Sequence, residues 1–234
     1  MRIFFFLLFF FITMHIAFTQ QKKVLLITGG HDFEETPFFE MFDALNNITY
    51  EHVAQPTANT LYKSPSIDQY DVLIFYDMWN EISTDQKKAF LALTKKGKGM
   101  IFLHHSLVSY QEWDDFKQLV GGKYYEKENE YHAASTYQHD VFVDVVLADG
   151  MHPVTAGLED FRIFDEVYGH FEVLESVHPL LTTNHPESTN IIGWANTYNT
   201  SRIVYLQPGH GRQTFNDKNY RQLLINAINW VAEN

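Results

Sequence analysis

A histidine between two glycines, with an arginine two residues later, is the part of this sequence best suited to chemistry. His210 and Arg212 lie in the segment Gly209-His210-Gly211-Arg212, shortly after an apolar run at 202–206 that predicts a buried strand. Open α/β sheets bind ligands at the loops that follow the carboxyl ends of their strands. We therefore predict an exposed loop in which His210 is a catalytic acid or base and Arg212 contacts the substrate. The alternative is an ordinary surface turn.

A second candidate group follows a pair of glycines. His31 and Asp32 come after Gly29-Gly30, at the end of an apolar run at 23–28. The glycines match neither the dinucleotide spacing G-x-G-x-x-G nor the nucleotide spacing G-x-x-x-x-G-K. A tight turn with an exposed histidine explains this segment as simply as a ligand site does. Because the carboxyl ends of parallel strands share one edge of the sheet, we predict that His31 and Asp32 bind substrate.

Two adjacent histidines follow a third apolar run. His104 and His105 come directly after residues 100–103 and precede Ser106. Adjacent residues on a regular strand point to opposite sides, so only one of the two histidines is expected to face a cleft. We assign this place, and a catalytic role, to His105, because a sharp turn after the strand would lift it clear of the sheet. His104 is interpreted as a buried, hydrogen-bonded residue or a substrate contact. The motif G-x-S-x-G is absent, which disfavours Ser106 as a nucleophile.

A pair of carboxylates lies within an apolar stretch farther along the chain. Asp165 and Glu166 stand between Phe164 and Val167, and Tyr168 follows. Burial disfavours the charged form of a carboxyl group unless it is paired, and enzymes obtain acids and bases usable near neutral pH in this way. A structural ion pair or a helix cap accounts for the pattern equally simply. We predict Glu166 as catalytic and Tyr168 as substrate-binding, with Asp165 as the alternative acid.

Several imidazoles and a carboxylate are also the ligands that zinc prefers. Their spacing in this sequence follows no compact motif such as H-E-x-x-H. The cofactor therefore stays unknown at this point, with a zinc site and a metal-free site both open.

The elements that must position these residues alternate between strands and helices. Another apolar run at 71–76 predicts a strand, and Ser83 with Gln86 has the spacing of a capping box at the start of a helix. A last helix is predicted from about Asp217. Such alternation predicts a mostly parallel sheet covered by helices on both sides. Residues 141–196 contain closely spaced strand patterns, which predict an inserted, partly antiparallel region of the same domain.

The chain has 234 residues, no cysteine and a net charge of −12. The acidic balance disfavours nucleic acid as a partner. Residues 1–19 have one positive charge and then an apolar run, as in a secretory signal peptide, followed by a single domain at 20–234. Because Thr13 and His15 interrupt the run, we expect removal of the leader and no stable membrane insertion. The protein is expected to be exported, either periplasmic or secreted, and the sequence leaves a homo-oligomer open.

With these residues identified, the chain resembles the ThuA-like (trehalose utilisation) family. The segments that carry the resemblance are residues 24–31, 102–105, Trp113 with 119–122, 152–158, 165–168 and 209–212. The resemblance implies a flavodoxin-like, class I glutamine amidotransferase-like three-layer sandwich. It also implies a part in disaccharide catabolism, through keto-sugar intermediates, and hence a small carbohydrate ligand.

The amidotransferase relatives use a cysteine nucleophile, and this chain has no cysteine, so glutamine hydrolysis by a thiolate is excluded. The histidines and Glu166 instead favour acid and base chemistry on a disaccharide or keto-sugar, by hydrolysis, elimination or isomerisation. The alternatives are a carbohydrate-binding module without catalysis and a partner-docking domain. The carboxylate of Glu166 favours the enzyme over the first, and the convergent histidines argue against the second.

Overall fold

The computed structural model describes residues 21–233, so the predicted signal peptide at 1–19 lies outside the described residues. The strands are β1 (Lys22–Gly29), β2 (Ile48–Ala54), β3 (Val72–Asp77), β4 (Gly99–Leu103), β5 (Gly122–Lys123), β6 (Thr136–Leu147), β7 (Phe161–Gly169), β8 (Glu172–Val173), β9 (His178–Thr182), β10 (Ile191–Tyr198) and β11 (Ser201–Leu206). The α-helices are α1 (Glu35–Asp43), α2 (Thr57–Leu61), α3 (Thr84–Lys95), α4 (Asp114–Val120), α5 (Arg212–Phe215) and α6 (Lys218–Val231). Within residues 21–233, no helix combines the length and apolar character needed to cross a bilayer.

Nine strands form one sheet in the order β2-β1-β3-β4-β11-β10-β9-β6-β7, while β5 and β8 pair separately. The first five strands in this order are parallel. The remaining four join by antiparallel pairing, beginning with β10 against β11. This architecture confirms the predicted α/β fold, with a large parallel part and an antiparallel region contributed by the middle of the chain.

Helices cover both faces of the sheet, as the buried apolar runs of its central strands require. One core cluster packs α1, α5 and α6 against the sheet, with Phe38, Phe215 and Leu224 fully buried. The other packs α2, α3 and α4 against the opposite face. The predicted helix starts are confirmed, since Ser83 and Gln86 form a reciprocal capping box and Asp217 caps α6. The result is the three-layer arrangement predicted from the sequence.

The hairpin of β6 and β7 leaves the plane of the sheet and positions the site. Its pairing with β9 involves only Val146 and Leu147, at the end of a twelve-residue strand. Although β7 is five places from β4 in the strand order, Glu166 on β7 touches His104 just after β4. The hairpin therefore folds back over the carboxyl ends of the parallel strands. The register of β6 against β7 shifts between Gln138 and Val141.

Candidate functional site

Four side chains meet at the carboxyl ends of the parallel strands. Nε2 of His104 lies 2.9 Å from Oε2 of Glu166, 2.9 Å from the hydroxyl of Tyr168 and 3.3 Å from Nδ1 of His210. The same Oε2 of Glu166 lies 2.9 Å from Nδ1 of His210. His104, Glu166 and Tyr168 are buried, while the side chain of His210 is 38% exposed. The structure thus brings together residues that are far apart in the sequence.

The backbone at His104 explains why this residue enters the cluster. Strand β4 ends at Leu103, and a 3₁₀ helix, His104–Val108, begins at once. His104 has a φ of 51°, in the left-handed region that non-glycine residues rarely adopt. Its Nδ1 lies 2.7 Å from the carbonyl oxygen of Gln207, which accepts the Nδ1 proton. The expectation that only His105 of the two histidines faces the cleft agrees with the structure, in which His105 lines the cavity and His104 does not. Its reason does not apply, because the strand ends before either residue.

His105 lies beside the cluster and is also buried. Its Nε2 donates to the carbonyl oxygen of Tyr76 at 3.2 Å, which leaves the lone pair of the neutral ring on Nδ1. The ring stacks on His31 with centroids 4.8 Å apart. Burial lowers the pKa of His105 well below its usual value, and the charges of His104 and His31 lower it further. His105 is therefore a neutral imidazole near neutral pH.

The loop that carries His210 is held by the neighbouring strand β7. The carboxylate of Asp165 accepts hydrogen bonds from the backbone N–H groups of Gly209 at 2.7 Å and His210 at 2.8 Å. Pro208, Gly209 and Gly211 are buried, so the prediction of an exposed loop is wrong for these residues. His210 is partly exposed and Arg212 is exposed. Asp165 therefore fixes the backbone of this loop. The structure does not support it as the alternative acid.

The charges of the cluster support each other. Burial acts to raise the pKa of Glu166, but hydrogen bonds from His104 and His210 outweigh it and hold the pKa well below its usual range. The hydrogen bond to Glu166 in turn raises the pKa of His210, against the opposing effect of partial burial. The ionised form of Glu166 and the protonated form of His210 therefore stabilise each other.

A cavity of about 330 Å³ opens next to the cluster. Its lining residues are His31, Met78, His105, Val108, Tyr124, Glu126, Tyr137, His139, Glu166 and Tyr168. A larger groove of about 540 Å³ lies beside the start of α3, near Trp79 and Trp113, and the predicted site residues do not line it. We place the candidate site in the smaller cavity because it contains the convergent polar groups and the groups with shifted pKa values.

Three residues predicted to bind substrate do not line this cavity, namely Asp32, His104 and Arg212, and neither does the predicted catalytic His210. His104 and His210 contact Glu166 in its wall. Arg212 begins α5, where its Nε lies 2.8 Å from Oε1 of Glu34 and its backbone N–H donates to Oε2 at 2.6 Å. The salt bridge satisfies both charges, so Arg212 fixes the start of the helix. Asp32 is exposed beyond His31, and its backbone carbonyl oxygen contacts Nδ1 of His31. The structure places Arg212 and Asp32 outside the cavity wall.

Sequence reasoning missed six residues of the cavity wall, which are Met78, Val108, Tyr124, Glu126, Tyr137 and His139. Tyr124 lies after β5, and Tyr137 and His139 lie on β6. Nδ1 of His139 is 3.5 Å from Oε1 of Glu166. The register shift between Gln138 and Val141 is a bulge, and bulges re-aim side chains. No sequence pattern around His139 indicates the bulge. The only feature that pointed to this region was its several scattered histidines.

Fold and site define an α/β protein of flavodoxin-like architecture with a histidine and carboxylate cluster at the carboxyl ends of its strands. The chain belongs to the ThuA family, described as trehalose utilisation, whose model matches residues 23–231. This family associates the chain with carbohydrate metabolism. No curated protein shows significant similarity to it.

Solved structures share the fold at low sequence identity. A ThuA-like protein from Parabacteroides merdae has a TM-score of 0.77 and 18% identity, covering 92% of this chain and 91% of that protein. A ThuA-like protein from Bacteroides uniformis has a TM-score of 0.68 and 23% identity, covering 92% and 93%. A cytoplasmic protein from Salmonella typhimurium has a TM-score of 0.63 and 12% identity, covering 89% and 98%. At these identities the likeness concerns the fold alone.

Near the site, a buried carboxyl group at the end of β3 predicts an unusual pH dependence of stability. Asp77 accepts a hydrogen bond from Gln55 Nε2 at 2.8 Å, and burial raises its pKa to about 7. Because the pKa is higher in the folded than in the unfolded protein, the protonated carboxyl group stabilises the fold. This stabilisation is complete at pH values below the pKa of the unfolded chain, about 4, and it is lost as the pH rises through about 7. We expect Asp77→Asn to be more stable than the parent at pH 8, by up to about 4 kcal/mol, with a smaller difference at pH 5.

Urea unfolding at pH 5 and pH 8 measures this difference. A matched control is Asp144→Asn, because Asp144 is an exposed carboxylate whose pKa is lowered by its hydrogen bond to Arg162. This control should give no gain in stability at pH 8. An Asp77→Asn protein that is less stable than the parent at pH 8 would show that the ionised carboxylate stabilises the fold.

Proposed function

We propose that the chain is an exported enzyme that moves protons on a disaccharide or a keto-sugar. The observation that carries this proposal is that His105 and Glu166 line one cavity at the carboxyl edge of the sheet, and that His210 lies 2.9 Å from Glu166. Open α/β sheets use this edge for ligands. The family's description as trehalose utilisation supports the class of substrate.

The size and lining of the cavity suit a sugar. Its volume of about 330 Å³ lies near the lower end of the range for small-molecule sites, which is about 300–1,000 Å³. Tyr124, Tyr137 and Tyr168 supply aromatic surface with a polar tip, which suits a ring that has one apolar face and several hydroxyl groups. His31 and Tyr168 are assigned to positioning the ligand in this proposal.

The two histidines take opposite parts. His105 carries a lone pair on Nδ1 and acts as the base, which removes a proton from carbon or from water. His210 is paired with Glu166 and acts as the acid, which protonates the leaving oxygen. Hydrolysis, elimination next to a ketone and isomerisation all need such a pair. The proposal therefore assigns the class of chemistry and leaves the bond that breaks to experiment.

The test is a panel of disaccharides and their 3-keto forms, incubated with the purified protein and read by chromatography of the products. We expect turnover of at least one compound by the parent protein. The Glu166→Gln variant should bind that compound with little change and turn it over at least about a hundredfold more slowly. Glu187→Gln, an exposed residue outside the cavity lining, is the matched control.

A carbohydrate-binding module without catalysis is the second candidate, because tyrosines line the cavity. Calorimetry on the same panel distinguishes it from the enzyme. Saturable binding by the parent protein without any product would support the binding module and contradict the enzyme.

Export is the remaining part of the proposal, and it depends on the apolar leader at residues 1–19. When the full chain is expressed with its leader in a bacterial host, we expect the mature protein in the periplasm or medium, beginning close to Gln20. Mass spectrometry of the mature protein measures its first residue. A chain that keeps Met1 and stays with the membrane would contradict removal of the leader.

A further inference from the structure

We propose that His104, Glu166 and His210 form a site for a divalent transition-metal ion at the wall of the cavity. Each residue offers one ligand atom, and the three atoms lie within 4.8 Å of one another. Two imidazoles and one carboxylate are a ligand set of catalytic zinc sites, which keep a further position open for water or substrate. The inference rests on the same site as the proposed function, and with an ion bound His210 would be a ligand in place of the acid. It is measured by metal binding and does not depend on turnover.

The distances between the ligand atoms fit an ion. The atoms form a triangle with sides of 2.9 Å, 2.9 Å and 3.3 Å. Around a tetrahedral zinc ion with bonds of about 2.0–2.2 Å, ligand atoms lie about 3.3–3.6 Å apart. A shift of a few tenths of an ångström therefore admits the ion. The three ligand atoms therefore already lie close together in the protein.

The hydrogen bonds around the cluster leave lone pairs that an ion can use. Because the carbonyl oxygen of Gln207 accepts the Nδ1 proton of His104, the neutral form of His104 carries its lone pair on Nε2, beside Glu166 and the hydroxyl of Tyr168. One metal ion accepts lone pairs from both imidazoles and from the carboxylate.

The surroundings resemble those of metal ligands in other proteins. A metal-binding histidine almost always donates its second ring N–H to a carboxylate or a backbone carbonyl, as His104 does to Gln207. Asp165 fixes the backbone N–H of His210, and Nδ1 of His139 lies 3.5 Å from the second oxygen of Glu166. Glu166 also lines the cavity, so an ion held by it is accessible to a ligand there.

Metal binding is tested on protein without an affinity tag, stripped with a chelator and titrated with ZnCl₂ in a calorimeter. We expect one Zn²⁺ per chain, and visible absorption bands of a low-symmetry site when Co²⁺ is used instead. Glu166→Gln and His210→Ala should each bind Zn²⁺ at least about a hundredfold more weakly, because a direct ligand is lost. Circular dichroism confirms that both variants are folded.

The matched control is His178→Ala. His178 lies on the surface and pairs with Asp149 at 2.8 Å. This histidine and carboxylate pair could bind Zn²⁺ weakly and nonspecifically, so the variant controls for such surface binding. This variant should keep the high-affinity site. Equal Zn²⁺ affinity in the parent, Glu166→Gln and His210→Ala would overturn the proposal, and so would the absence of stoichiometric binding to the folded parent. Binding of Zn²⁺ without turnover of any sugar would leave the metal site standing and contradict the proposed enzyme.

Discussion

Replacing His210 with alanine is expected to slow turnover by about a hundredfold to ten-thousandfold, because an acid or base in the reaction contributes about this much. The loop itself should remain in place, since Asp165 holds its backbone through the N–H groups of Gly209 and His210. The imidazole is partly exposed, so we expect a stability loss of only about 1 kcal/mol. The measurements are kcat/KM on the compound found in the panel and urea unfolding.

Gln213→Ala is the matched control for this variant, because Gln213 is exposed three residues along the chain and does not line the cavity. It should retain the turnover of the parent. A His210→Ala protein that loses several kcal/mol of stability would show that the histidine is structural. Full activity in a stable His210→Ala protein would show that the chemistry does not use it.

The largest expected loss of stability comes from Gly30→Ala. Gly30 has a φ of +86°, and a Cβ atom on it would lie 1.9 Å from the carbonyl oxygen of Met78. The backbone must move to admit the methyl group, in addition to the strain of a left-handed conformation. We expect a loss of at least about 3 kcal/mol, which corresponds to a fall in Tm of about 6–12 °C for a domain of this size.

Gly157→Ala separates the two causes. Gly157 has a φ of +75°, but no atom lies within 4 Å of its added Cβ. It should lose only about 1 kcal/mol, from backbone strain alone. Equal thermal melting of the two variants would show that the contact with Met78 has no effect. In Gly30→Ala we also expect weaker sugar binding, because Met78 and His31 both line the cavity.

The elements were predictable where local signals agree with the final packing. The capping box at Ser83 and the cap at Asp217 depend on residues within one turn, so they are visible in the sequence. The apolar runs of β1, β3, β4 and β11 are long enough to identify buried parallel strands. The antiparallel character of the middle region was also predicted, from its closely spaced strands.

The members of the site were predictable only in part, and its geometry less so. His105 and Glu166 were selected by their position after a strand or among apolar residues, and both line the cavity, while His210 lies 2.9 Å from Glu166. The left-handed backbone of His104 and the bulge beside His139 depend on contacts made across the fold. The salt bridge of Arg212 with Glu34 joins residues 178 positions apart, so no local pattern reveals it.

The pairing of β6 with β7 has a consequence for insertions and deletions. Asp165 and Glu166 are neighbours on β7, and one holds the backbone of the His210 loop while the other holds its imidazole. A slip of one residue in a strand turns every side chain to the opposite face, so it would move one of these carboxylates into the place of the other and put Phe164 or Val167 in the place that remains. Insertions and deletions are therefore expected in the connection at 148–160. A deletion of a single residue within β7 is expected to leave the protein folded but without its function.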